Sequence, residues 1–499
     1  MGDNQQPLNG VPAASKIDLT QVQGDILKGG FAKKSEIFYF FKINDAKRFA
    51  IALKGINFSS VADVQADRAR IPATRDPNFP WPMFGVNIAF SITGLDKIKK
   101  NKVGTLRVDD IKNNARPYAA GMEADSPSLG DPDWTDSRFK GRQIDGVLII
   151  AGSSQSICQA ALSSTLAALG SPEGQDIPGQ IITRIAKEVG NTRPGVGDGK
   201  EHFGFEDGST YNDYHKQLSK HARETAEPSL TFDLQHLVSQ PQVRGIDDQG
   251  DPKDNPKTFD NLIDPSTLLI TKDSPLPDWM ENGSFFCFRK LEQDVASWNT
   301  FVKDGAQKLK IPEATFGAKL MGRWQSGRAI VLADKDDDNT RVDPMANDFT
   351  FQSGNMDKCP FGAHIRKTNP RGSPFFGVRI MRRGIPYGTD FVPGKTTDTN
   401  RGLLFACYQA DFDQGYRFIQ QFWANGPSFP EGVAGLDTVM GQIPNKGKPS
   451  PGGDEFKIQI NKTGQAKFDR VNQFVTPRGG EYFFAPSISA LKKTLTLVA

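Results

Sequence analysis

The sequence predicts an α+β protein made of two related units, each an open sheet with helices on one face. Three observations carry that expectation. A strand-like apolar run, a polar or acidic break and an amphipathic helix follow one another in that order three times. Further strand-like runs fall between these repeats in both halves of the chain. A stretch at 239–265, rich in Asp, Pro, Gly and Lys, lacks apolar periodicity and reads as the join.

The first repeat is Ile37-Phe38-Tyr39-Phe40-Phe41, then Asn44-Asp45, then a helix carrying Phe49, Ile51, Ala52 and Leu53. The second is Ser284–Phe288 followed by a helix through Val295, Trp298 and Phe301. The third is Gly402–Tyr408, with Asp411-Phe412-Asp413 leading into a helix with Phe418, Ile419, Phe422 and Trp423. Each time the apolar period switches from two to about 3.6. Other strands are expected at Val86–Phe90, Gly146–Ile150 and Phe376–Ile380, and a helix at Ser154–Leu169. The expected organisation is a disordered tail at 1–16, one unit at 17–238, the join at 239–265 and a second unit at 266–499.

With 61 basic and 58 acidic side chains the net charge is +3, which gives no reason to expect nucleic acid or an anionic membrane as partner. No apolar run approaches the roughly 18 residues of a membrane span. The polar N-terminus is not a signal peptide as it stands, so the expectation is a protein inside the cell or a mature form with a start codon added. The four cysteines (Cys158, Cys287, Cys359, Cys407) have no CxxC spacing and read as neither a disulfide framework nor a zinc site. Acidic stretches at Asp334, Asp336 and Asp338 and at Asp247, Asp248, Asp251 and Asp254 match no calcium-loop spacing and read as solvated loops.

Four segments carry candidate chemistry. In EHFGFEDGST (201–210), Gly204 and Gly208 bracket Glu206 and Asp207, a place for a turn, a metal ligand or an acid–base group, with His202 nearby. His364 follows Gly362-Ala363 and precedes Arg366 and Lys367. Small neighbours and nearby cations suit an axial haem ligand, and equally a loop histidine on a basic surface. Arg382-Arg383 ends a strand-like run, so at most one of the two enters a given pocket. Asp437 is a lone carboxylate in a glycine-flanked apolar run; if buried it needs a partner, and an imidazole N–H is a suitable one.

At this point the chain resembles the dye-decolorising (DyP-type) haem peroxidases, most closely the fungal members. The resemblance rests on Val22-Gln23-Gly24-Asp25-Ile26-Leu27, the GxxDG motif Gly204–Gly208, the HIRKTNPR run at His364, the RGIPYG run ending at Gly388 and the GLD…GQ run at Asp437. It implies two ferredoxin-like domains, each an antiparallel sheet with helices packed on it, and haem b held mainly by the C-terminal one. It implies His364 as iron ligand, Asp437 as its hydrogen-bond partner, Asp207 as distal acid–base group and Arg382 as distal arginine. Leu403 and Phe405 match positions lining the distal side, Arg366 a propionate partner, and Gly204 and Gly208 a backbone lying close to the porphyrin. His202 becomes a packed or loop residue.

The resemblance further implies reduction of hydrogen peroxide through a ferryl haem, with dyes, phenols and other bulky aromatics as reductants. Trp423 matches a proposed surface radical position and Tyr387 another relay; the bland reading of Trp423 is the apolar face of its helix. The competing class is a haem carrier or iron-releasing relative. Relatives in the family are often secreted; a monomer or a dimer is expected.

Overall fold

The computed structural model describes residues 17–27, 30–69, 83–99, 106–173, 178–206, 267–334, 351, 353–370, 377–394, 400–432, 434–442, 455–459, 465–469 and 473–496. The expected tail at 1–16 and the expected join at 239–265 lie outside these residues.

Two antiparallel sheets share one strand order. In the first half β1 (Ser35–Ile43), β2 (Phe84–Phe90), β3 (Gly146–Gly152) and β4 (Ile182–Asn191) lie in the order β4-β1-β3-β2. In the second, β5 (Ser284–Gln293), the short β6 (Met381–Arg382) and β7 (Ile385–Tyr387), β8 (Gly402–Gln409) and β11 (Val475–Ala485) give β11-β5-β8-β6, with β7 also on β8. Counting β6 and β7 as one interrupted strand, both halves read fourth-first-third-second, the ferredoxin-like order. The duplication expected from the repeats is thus present in the topology. A separate hairpin, β9 (Glu455–Gln459) with β10 (Gln465–Asp469), is inserted before β11.

The halves meet edge to edge at Phe90 of β2 and Phe484 of β11, which makes one nine-stranded sheet among the described residues. That sheet curls. β1 and β5 are four strand spacings apart, roughly 19 Å in a flat sheet. Yet the Phe38 and Phe40 rings of β1 lie 4.9 and 4.8 Å from the Phe288 ring of β5. Phe139, Phe286 and Phe483 complete the same aromatic interior. The two units are therefore not separate open sheets. Helices cover one face, and the other faces pack on each other, which is why every residue of β3 is buried.

The outer edges approach at Gly190 of β4, where an added Cβ would lie 2.2 Å from Ile385 Cγ2 and 2.9 Å from the Pro386 carbonyl. Glycine is required there by space. No helix of the described residues is long and apolar enough to cross a membrane.

Three of the expected helices start at side-chain caps, but the one after β8 does not: its N-cap is Gly415, and Asp411 Oδ1 accepts instead from Asp413 N at 2.8 Å. The Asp45 carboxylate accepts from Arg48 N at 3.0 Å ahead of Ala46–Leu53. Asp294 accepts from Ser297 N at 3.0 Å ahead of Val295–Leu309, and Ser154 from Ile157 N at 3.3 Å ahead of Gln155–Ala168. After β8 the chain forms a short turn at Tyr416–Phe418 that widens into a π-helix at Ile419–Ala424.

The expected strand at Phe376–Ile380 is a correction. Pairing with β8 begins only at Met381, and Val378 packs instead against Ile419 and Trp423. β11 escaped detection because Pro477 and Gly479-Gly480 disguise it. A bulge lies between Pro477 and Gly479, and an added Cβ at Gly479 or Gly480 would strike the Phe139 ring at 2.6 Å or Met122 sulfur at 2.5 Å. All four cysteines are buried, and none forms a disulfide among the described residues. Of the acidic stretches only Asp334 is described, paired with Lys358 at 2.9 Å.

Gly190→Ala should lower thermal stability by roughly 1–3 kcal/mol through overpacking of this seam. An unchanged melting temperature would mean that the two edges do not touch.

Candidate functional site

His364 opens the short helix His364–Thr368, directly after the buried Ala363. Its Nδ1–H donates to Asp437 Oδ2 at 2.9 Å. Asp437 is wholly buried, and its other oxygen accepts from Val439 N (2.8 Å) and Met440 N (2.7 Å). Burial pushes this carboxyl up. The imidazole and the two amides outweigh burial and hold it below the usual carboxylate range. A carboxylate can only accept, so Nδ1 carries the proton and Nε2 keeps its lone pair. The His364 side chain is 23% exposed, so the ring reaches open space with that nitrogen unspent.

Thr438 ties the aspartate loop to the histidine loop by donating to Gly362 O at 3.0 Å. A second tie was missed by sequence reasoning. Lys367 is fully buried, and Nζ donates to the carbonyls of Gly426, Phe429 and Gly435, each at 2.7 Å. Burial pulls its ammonium down to about 7 while Asp437 acts in the opposite direction. Its neighbour Arg366 is also buried. Nη1 donates to Asn355 O (2.5 Å) and Cys359 O (2.7 Å), and the guanidinium lies over Phe361 at 4.4 Å. The cations after His364 brace the loop from inside rather than forming an exposed patch.

The Arg382-Arg383 pair divides as strand alternation requires. Arg383 is buried and donates to Asp25 O (Nε, 2.6 Å) and Leu27 O (Nη2, 2.5 Å), with the Asp25 carboxylate 3.4 Å away. Arg382, half-buried at the end of β6 opposite Cys407, is the one directed elsewhere. The VQGDIL run is explained by the same contact and by Gln23, whose amide donates to Ile88 O at 2.9 Å and Pro486 O at 2.7 Å.

Asp207 and Gly208 lie outside the described residues. Gly204 has φ +93°, a conformation that favours glycine, and an added Cβ would meet Gln325 Nε2 at 3.1 Å. The turn itself therefore accounts for Gly204. Phe203 stacks on Trp298 at 4.5 Å and Phe205 meets it edge-on at 6.3 Å. Both belong to an apolar cluster with Val439, against which the half-buried Leu403, Phe405 and Met440 pack. The structure thus brings the GxxDG approach, β8 and the Asp437 loop around one cluster. An open cleft of about 480 Å³ beside it is lined by Phe203, Phe205, Trp298, Gly317 and Gln325, among others; His364 and Arg382 do not line it.

His202 is a packed residue. Its Nε2–H donates to the Tyr387 carbonyl at 2.8 Å, and burial pulls the imidazole down to about 4, so it is neutral at pH 7. Trp423 requires a correction of placement. It is 3% exposed, stacked on Phe429 at 5.3 Å with Phe418 edge-on at 5.7 Å, and the exposed ring of this turn is Phe422. Tyr387 is buried as well, its hydroxyl without a hydrogen bond among the described residues and the Lys290 ammonium 5.5 Å from its ring. Burial raises the Tyr387 phenol above its ordinary value.

Comparison with known proteins bears on the family and the fold. The family model described as DyP dimeric alpha+beta barrel domain matches residues 21–194, and that described as Dyp-type peroxidase, C-terminal, matches residues 243–428. Peroxidase 2 of Mycetinis scorodonius is 31% identical, covering 97% of this chain and 89% of that protein. The dye-decolorizing peroxidase AauDyP1 of Auricularia auricula-judae is 31% identical, covering 96% and 87%. A solved dye-decolorizing peroxidase in complex with 2,6-dimethoxyphenol superposes with a TM-score of 0.73 at 28% identity, covering 97% of this chain and all of that one.

Burial of neutral His202 carries a pH signature. Its folded pKa lies below the unfolded value near 6.5, so the unfolded chain binds the extra proton first as pH falls. Stability should be full above about 6.5 and decline towards 4, by on the order of 3 kcal/mol. His202→Gln should flatten the fall in melting temperature across that window; equal slopes would contradict a buried neutral imidazole.

Proposed function

The chain belongs to the dye-decolorizing (DyP-type) peroxidase family, and we propose that it is a haem b peroxidase reducing hydrogen peroxide while oxidising dyes, phenols and other bulky aromatics. The observation that carries the proposal is the His364–Asp437 couple: an imidazole whose Nδ1–H donates to a wholly buried carboxylate, leaving Nε2 without a partner among the described residues. That donor set fits a haem iron, and the apolar cluster holding Leu403 and Phe405 fits the face of a flat macrocycle.

Bound haem would supply the iron at which peroxide is reduced and hold the oxidising equivalents that the reductant then quenches by giving up electrons. His364 would ligate that iron through Nε2, with Asp437 fixing the ring's tautomer and raising its basicity. Asp207, assigned by its motif, takes the proton of one peroxide oxygen and delivers it to the other. Arg382 stabilises negative charge on the departing oxygen. Arg383 does not compete for that role, since its guanidinium is committed to Asp25 and Leu27. Carboxylates have a lower reference pKa than imidazole, about 3.9 against 6.5, so activity should persist at acidic pH.

Trp423 and Tyr387 are the proposed relays for reductants too large to enter. With Trp423 buried, electrons from a reductant at the surface would reach it across the neighbouring rings of Phe418 and the exposed Phe422, whose centroids lie 5.0 Å apart. Arg366 is a weaker candidate for a propionate, because Nη1 already serves two carbonyls.

The test is addition of hydrogen peroxide to the haem-loaded protein with a dye or 2,6-dimethoxyphenol. Rapid spectral change and substrate oxidation, lost in Asp207→Asn and Arg382→Leu, are the expected result. No spectral change would favour a haem-handling protein instead. Trp423→Phe should lower turnover of large dyes and spare small phenols; an equal loss on both would remove the relay.

A further inference from the structure

β6 is only two residues long and is followed by Arg383-Gly384, so its ladder pairs, Met381 with Tyr408 and Arg382 with Cys407, fix little beyond the arginine's own peptide. What surrounds that peptide is a set of charged side chains from the start of the chain. Arg382 O accepts from Arg383 Nη1 at 2.9 Å. Arg383 O accepts from Lys33 Nζ at 2.7 Å, and Arg383 N donates to Ala406 O at 2.6 Å. Lys33 in turn donates to Glu36 Oε2 at 2.6 Å, and Glu36 is wholly buried on β1.

Asp25, which faces Arg383, is itself fixed by Phe31 N (3.1 Å) and by its own N–H donating to Asn87 Oδ1 (3.0 Å). Gly30 leaves room for this arrangement: an added Cβ would lie 2.5 Å from Arg383 Nε. Two buried carboxylates, a buried arginine and a partly buried lysine are an expensive way to hold a seam. Apolar residues of similar volume often hold such a place as well or better, and the retained charges specify one geometry. The expense is visible in Asp25 Oδ2 and Glu36 Oε1, buried without a hydrogen bond among the described residues.

We infer that Lys33, Glu36, Asp25 and Arg383 form a positioning clamp for Arg382. The clamp rests on the proposed role of Arg382. The four residues do not touch the substrate; they fix the two peptides from which the Arg382 side chain projects.

The test uses the haem-loaded full chain and two readouts: the rate of reaction with hydrogen peroxide, and the dissociation constant for fluoride, a small anion that a distal arginine holds by hydrogen bonding. Lys33→Met should slow the peroxide reaction roughly ten- to a hundredfold, the scale of an ångström-sized misplacement, and weaken fluoride binding. Lys33→Arg should restore both. In an Arg382→Leu background Lys33→Met should add nothing, because the lysine acts only through that arginine. Should Lys33→Met fail to fold, Glu36→Gln is read the same way. Multiplicative losses in the double variant, or unchanged fluoride binding in Lys33→Met, overturn the clamp alone. An Arg382→Leu substitution that changes neither readout overturns the arginine's role and the clamp with it.

Discussion

The hydrogen bond between His364 Nδ1 and Asp437 is the constraint on which the rest of the site depends. A carboxylate with no solvent exposure must be matched by donors, and Asp437 receives three: the imidazole and two backbone amides. Satisfying it fixes the histidine's tautomer and orientation in one step. It also dictates the neighbouring structure, because the aspartate and histidine loops must be locked together over a gap of more than seventy residues in sequence. Thr438 and Lys367 are the locks. A single ammonium serving three carbonyls holds the histidine helix to the loop running from Gly426 to Gly435.

The barrel supplies the rigid support on the other side. On β8, Leu404, Ala406 and Tyr408 lie in the aromatic interior, while Leu403 and Phe405 face the cluster beside the site. Period-two alternation makes one strand serve both as core and as lining. The same alternation separates Arg382 from Arg383, sending Arg383 inward to Asp25 and directing Arg382 elsewhere. Closure of the sheet depends on glycines at Gly190, Gly479 and Gly480, where side chains from the opposite half occupy the space a Cβ would need.

How far sequence reasoning reached follows from which physical signals are local. The His364–Asp437 pairing was legible because a lone carboxylate in an apolar, glycine-flanked run demands a partner, and histidines are few. Helix starts were legible at Asp45 and Ser154, since a cap is a short-range hydrogen bond. Curling of the sheet was not, because contacts such as Phe40 with Phe288 depend on chain far apart in sequence. β11 was hidden by a proline and two glycines that exist to fit neighbours, and Lys367 by the general rule that lysine lies outside. Sequence left two readings of Trp423, a surface position by resemblance and the apolar face of its helix; packing against Phe429 and Phe418 agrees with the second.

The most direct measurement is haem affinity in Asp437→Asn, titrated with haem and compared with the unaltered chain. Loss of the buried carboxylate should weaken affinity about 10- to 100-fold, the usual cost of removing the partner that orients a ligating histidine. Affinity unchanged within a factor of about two would contradict it, and would mean that His364 is not held for ligation by Asp437.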